Sequence, residues 1–148
     1  MKTNVSHVFA HIVVAASATM LWAGGAMAAP ASAPARAPTK AVSILEPANG
    51  ATVHSPFKLR FGVRGMSVAP AGEVKANSGH HHLLINVKSL PAGQTVPMSD
   101  RHLHFGKGQT ETEVTLPPGS YKLTAQFANG AHQSYGKPMS QTIAVIVR

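Results

Sequence analysis

From Val42 onward, apolar and polar positions alternate with a period of two, and no stretch keeps a helical period over a useful length. Val42 and Ile44 alternate ahead of the turn "EPANG". "FKLRFGV" sets Phe57, Leu59, Phe61 and Val63 on one side and Lys58, Arg60 and Gly62 on the other. "HLLINV" follows a glycine-containing loop, "TETEVTL" leads into the turn "PPGS", and "YKLTAQF" gathers Tyr121, Leu123, Ala125 and Phe127. "QTIAVIV" is the final run. Short strands with one core face each, punctuated by Pro/Gly turns, predict an all-β chain: an immunoglobulin-like antiparallel β-sandwich of about seven strands. "LPPGSYKL" fits the corner of such sandwiches, where a tyrosine after a tight turn bonds back to the backbone.

The amino-terminal residues break this pattern. Residues 1–28 read as a signal peptide: Lys2, an apolar stretch from about Val8 to Trp22, then Ala26-Met27-Ala28 as a small-x-small cleavage site. A membrane anchor would need about 20 continuous apolar residues, and Gly24 and Gly25 interrupt the run. The predicted product is periplasmic or secreted after cleavage near Ala28, with no membrane span. "APASAPARAPTKA", 29–41, is a Pro/Ala-rich linker, and 42–148 is the β-sandwich domain. Cysteine is absent, so no disulfide staples the fold, and a metal would have to be held by His, Met or carboxylate.

Charge is lopsided: losing Lys2 with the leader takes the formal net charge only from +8 to +7. Nucleic acid is a common partner for such a balance. Export, a low aromatic content and scattered lysines and arginines argue against it here. A solvated surface with attraction to anionic envelope polymer, or to an envelope protein, is the better expectation.

The chemistry concentrates in histidine. "SGHHHLLINV" and "DRHLHFGKGQTE" hold five of the nine histidines. In a strand alternate side chains share a face, so His81 goes to the core with Leu83, Ile85 and Val87. There a hydrogen bond should satisfy it. His80 and His82 take the more polar, outward face. In "RHLHF" the apolar Leu103 and Phe105 turn inward, which sends His102 and His104 outward. If the two segments pair, cross-strand Cβ atoms lie about 4.5–5.5 Å apart, and His80, His82, His102 and His104 can converge on one copper or zinc ion. His81, His132, Met66 and Met98 are additional candidate ligands, thioethers favouring Cu(I). His132, in the loop "NGAHQS", is expected to be solvated. The opposing reading is a hydrogen-bonded scaffold in which His80–His82 tie the long Met66–Gly79 loop to the sheet.

These residues also carry a resemblance. "GHHHLLI", "HLHFGKGQTE", "PANGATVHSPFKLRFGVRGM" with the following "VAPAG", and the histidine of "NGAHQS" resemble the secreted bacterial and archaeal family called domain of unknown function 4399, from about Val42 to Val147. That family has no settled activity, so the resemblance implies shared residues rather than a reaction.

An enzyme is the least favoured class. Asp100 is the single aspartate, and Glu111 and Glu113 sit among threonines on a polar strand face, suited to a salt bridge with a lysine. Ser78, His80 and Asp100 could be drawn as a triad, but no nucleophile elbow supports it. Two readings remain open: a periplasmic protein handling or buffering copper or zinc, and a non-catalytic envelope interaction module with structural histidines and a basic surface.

Overall fold

A computed structural model describes residues 39–148; the leader, the cleavage site and most of the linker lie outside the described residues. Nine strands follow one another: β1 (Ala41–Glu46), β2 (Ala51–Val53), β3 (Phe57–Arg64), β4 (Ser67–Val68), β5 (Ser78–Ile85), β6 (His102–His104), β7 (Glu111–Val114), β8 (Gly119–Ala128) and β9 (Ser140–Val147), with a 3₁₀ turn at Lys137–Met139 before the last. No helix among the described residues is long and apolar enough to cross a membrane.

The strands form two sheets, in the orders β1-β3-β7 and β2-β9-β8-β5-β4, and β6 also pairs with β5. The chain is an all-β sandwich, as its alternation predicts. The count is nine rather than about seven because β2 and β4 have only three and two residues, too few to show a period. Both of these, β2 on β9 and β4 on β5, pair in parallel, so the antiparallel rule fails at these short edges.

Between the sheets, Val42, Ile44, Phe57, Leu59 and Phe61 meet Leu83, Ile85, Leu123, Ala125, Phe127, Ile143, Val145 and Val147 in one buried cluster. The period-two sets of β3 and β8 thus face each other across the core. Tyr121 Oη donates to the Pro117 carbonyl at 3.0 Å, closing the tyrosine corner. Glu111 pairs with Lys58 at 3.2 Å on the outer face of the small sheet.

The outward face of β5 departs from expectation. Every residue of β5 is buried, His80 and His82 included. A second apolar layer of Leu84, Val96 and Ala128, with Val87 and Leu90 against it, covers the outer face there. Gln126, fully buried on that face, ties the cover down: its Oε1 accepts from Leu90 N at 3.1 Å, and its Nε2 donates to the Gly136 and Met139 carbonyls, each at 3.2 Å. Thr124 adds a bond to the Val87 carbonyl at 2.9 Å. At β9 the cover ends, and Gln141, Thr142, Ala144 and Ile146 are exposed.

His81 enters the core, as its parity requires, but it is not hydrogen-bonded. Its ring stacks on Phe61 at 4.7 Å and meets Phe127 edge-on at 5.0 Å, and neither ring nitrogen has a partner. The imidazole therefore acts as a flat aromatic filler. His81→Ala should cost about 2–4 kcal/mol, as large-to-small core changes do. His81→Phe, which keeps the stack and removes two unsatisfied nitrogens, should fall within about 1 kcal/mol of wild type. Denaturant unfolding of the two variants checks this; a phenylalanine variant as weak as the alanine one would mean the ring nitrogens matter.

Candidate metal centre

His80 and His82 stand two residues apart on β5 and so share its outer face. Antiparallel pairing sets His104 of β6 directly opposite His82. The fourth imidazole comes from a loop. His132 has φ +62, a left-handed conformation uncommon for a residue with a side chain. The turn around it explains how that conformation is held. Asn129 Oδ1 accepts from Ala131 N and Gln133 N at 3.0 Å each, His132 N donates to the Asn129 carbonyl at 2.9 Å, and Val96 N donates to the His132 carbonyl at 2.9 Å.

The four rings form one cluster. His80 Nε2 lies 2.9 Å from His82 Nε2, and His104 Nε2 lies 3.0 Å from His132 Nε2. Ring centroids are 4.9 Å apart for His80 and His104, 5.0 Å for His80 and His132, and 5.0 Å for His82 and His104. Ligand atoms of His80, His104 and His132 lie within 4.8 Å of one another, so these three could hold a metal ion. Tetrahedral zinc with Zn–N near 2.0–2.1 Å wants nitrogens about 3.3–3.4 Å apart, a spacing that small ring movements reach from here. His80 and His82 are buried, His132 is half-buried and His104 is exposed, which leaves the cluster open on one side.

His102 is not part of it, which corrects the expected set. The register pairs His102 with Leu84, two residue pairs past the His82–His104 pair, and its Nδ1 contacts Ser99 Oγ at 2.7 Å. His132 takes the fourth place instead of standing in solvent. His81 faces the opposite side of the sheet. Met66 packs against the main core and Met98 is 85% exposed.

The electrostatics are unusual for a hydrogen-bonded scaffold. Two Nε2 atoms in contact need one proton between them, which leaves one Nδ1 as a bare acceptor and the other as an N–H donor. Both Nδ1 atoms, on His80 and His82, are buried without a partner. Burial first, then the neighbouring imidazoles His104 and His132, lowers the His80 pKa to about 4. Burial and four other histidines lower His82 to about 3. Burial and His132 also lower His104. Every charged influence on these three rings comes from another imidazole and none from a carboxylate.

Glycines make the room. A Cβ on Gly106 would run into the His104 ring, and a Cβ on Gly130 into the Glu73 carbonyl. One strap of chain touches all the glycines that flank the cluster. Ala69 N donates to the Gly79 carbonyl at 2.7 Å, Ala71 N to that of Gly106 at 2.8 Å, and Gly72 N to that of Gly130 at 2.9 Å. Each acceptor lies one or two residues from His80, His104 or His132, so the strap fixes the spacing between the elements that carry them. The "VAPAG" segment and the glycine of "HLHFG" thus belong to the site, although neither carries a ligand.

A family model described as Domain of unknown function (DUF4399) matches residues 59–148, and the chain belongs to that family. The match begins at Leu59, later than the Val42 onset read from the sequence, and it contains all four clustered histidines and the strap. No curated protein and no solved structure matches the chain.

The Gly106 contact generates a double-mutant test. Gly106→Ala should destabilise by about 1–3 kcal/mol, the usual cost of overpacking, and by much less when His104 is already alanine, because the clash has gone. Equal costs in the two backgrounds would refute the contact. The lowered pKa values also set a pH dependence. Unfolded histidines take up protons near 6.5, whereas folded His80 and His81 wait until about 4 and His82 until about 3. Between those limits the unfolded chain binds more protons, so stability should rise with pH from about 4 to 6.5 and level off above. Urea unfolding in the presence of a chelator at pH 5 and pH 7 measures it; a midpoint higher at pH 5 would contradict the burial of these rings.

Proposed function

We propose that this member of the family is an exported, non-catalytic protein that binds one transition-metal ion, zinc or copper, through His80, His104 and His132, with His82 as a fourth ligand. Its role is metal handling or buffering in the periplasm. One observation carries the reading: four imidazoles converge, and among the described residues their ring nitrogens find only one another as partners, while buried ring nitrogens of His80 and His82 go unsatisfied. A scaffold built for stability would give buried polar atoms hydrogen-bond partners. A bound cation would replace repulsion among the rings with attraction to a shared centre.

An all-imidazole set suits Zn(II) and Cu(II), and without a thioether it gives Cu(I) no special advantage. Glu46 pairs with Arg60, Glu111 with Lys58 and Arg60, and Glu73 with Lys75, and among the described residues no aspartate or glutamate joins the histidine group. A hydrolase would want a general base beside the metal, and none of those carboxylates supplies one, which favours binding over turnover.

The test is metal stoichiometry of the purified, untagged protein after loading with Zn(II) or Cu(II), followed by calorimetric titration of single variants. One ion per chain is expected. His80→Ala, His104→Ala and His132→Ala should each weaken binding by about tenfold or more, since even changes beyond the ligands themselves cost that much. His102→Ala should bind like wild type. Sub-stoichiometric loading, or a His102 variant as impaired as the others, would overturn the assignment.

A further inference from the structure

The formal charge of the chain is unevenly spread over the two sheets. The ion pairs among the described residues are Lys58–Glu111, Arg60–Glu46, Arg60–Glu111 and Lys75–Glu73. Three of them lie on the small sheet, and none involves Lys88, Lys122 or Lys137. Those three lysines line one hollow of about 470 Å³ at the uncovered end of the large sheet, together with Asn86, Val87, Ser89, Thr124 and Thr142. No carboxylate lines it. Gathering like charges costs a free protein self-repulsion, and a cleft lined by one sign concentrates counter-ions.

We propose that this hollow is an anion site, separate from the histidine cluster, that takes a multiply charged phosphate-type group. The walls are held in place before any ligand arrives. Asn86, at φ +57, donates its backbone N–H to the Lys122 carbonyl at 2.7 Å and accepts from Lys122 N through its side chain at 2.8 Å. Lys88 follows Val87, whose carbonyl is bound by Thr124, and Lys137 opens the 3₁₀ turn pinned by Gln126. All three ammonium groups are therefore carried on ordered chain.

The hydroxyls narrow the chemistry. Thr124 Oγ1 donates to the Val87 carbonyl, so in their 2.8 Å contact Thr142 is the donor to Thr124. Both hydroxyl protons are spent on the protein. What remains for a ligand is three mobile ammonium groups, the Ser89 hydroxyl and the Asn86 side-chain Nδ2, since only the Oδ1 of that amide is taken. Ammonium groups recognise phosphate as point charges, so the site selects charge density rather than a planar carboxylate fork. The size is within the range of small-ligand pockets. Asn86 and Lys122 are shared with a second hollow of about 360 Å³ lined by Ala144, Val145 and Ile146. An anion carrying an apolar substituent therefore fits as well as a bare one, which makes a free polyphosphate and a lipid headgroup the sources to separate. The site rests on different residues from the metal reading and does not depend on it.

The full mature chain is titrated with sodium tripolyphosphate at low ionic strength by calorimetry, and co-sedimented with phosphatidylglycerol vesicles. Binding that weakens as salt approaches about 0.15 M is expected. Each of Lys88→Gln, Lys122→Gln and Lys137→Gln should weaken it by about threefold, the scale of one exposed charge contact. The control is Lys58→Gln with Lys75→Gln, which removes more net charge than any single variant, away from the hollow, and should change binding less than any of them. Binding to tripolyphosphate alone assigns a soluble ligand; vesicle binding displaced by tripolyphosphate assigns a headgroup. Absence of both, or a control as impaired as the site variants, overturns the proposal. Loss of vesicle binding with the control alone does so too.

Discussion

The register of β5 against its two neighbours is the constraint on which the rest depends. Pairing with β8 sets His80, His82 and Leu84 opposite Ala128, Gln126 and Thr124, and pairing with β6 sets His104 against His82. A shift of one residue would exchange the two faces of β5. His81 would leave its stack on Phe61, and Leu83 and Ile85 would leave the core. The core therefore holds the register, and the register delivers the imidazoles. Gln126 and Thr124, on the same face, then hold down the segments after β5 and before β9 that bury one end of that face.

The result is a polar cluster buried at a cost. Two buried Nδ1 atoms without partners are a liability that native proteins mostly avoid, each worth roughly 1–3 kcal/mol. The covering layer could have been apolar throughout, as it is around Leu84, Val96 and Ala128. Instead the stretch of sheet beside Gly106 and Gly130 is filled with rings, and the glycines keep it free of competing side chains. A local arrangement that lowers stability without a structural return points to a function for the rings themselves.

Much of the fold was legible because strand periodicity is local. Phe57, Leu59 and Phe61, and the set from Tyr121 to Phe127, are read from adjacent residues and need no knowledge of partners. The separation of His81 from His80 and His82 is legible for the same reason. Leu84 was a missed signal: a leucine in the parity set of His80 and His82 already implied that the outer face is partly covered. Placing His102 beyond reach required the register of β6, which parity does not give. His132 depended on a left-handed turn stabilised by Asn129, three residues before it, a conformation no alternation pattern encodes. The glycine of "HLHFG" could have been read, since it stands two residues past His104 and so on the same side of an extended chain.

The separation of the candidate ligands along the chain gives the site a further property. His80, His104 and His132 come from β5, β6 and the Asn129–Ser134 loop, elements joined in the folded state by the strap of Ala69, Ala71 and Gly72. An unfolded chain cannot present all of them at once without closing two loops, so an ion that takes all three binds the native state in preference. Its binding free energy is then added to folding stability by mass action, by about 2.7 kcal/mol at a hundredfold excess over the dissociation constant. A small domain without cysteine has no disulfide to supply such a restraint. Metal occupancy would offset the penalty of the buried rings. It would also stiffen the β5–β6 edge, where a three-residue strand carries a solvent-exposed histidine.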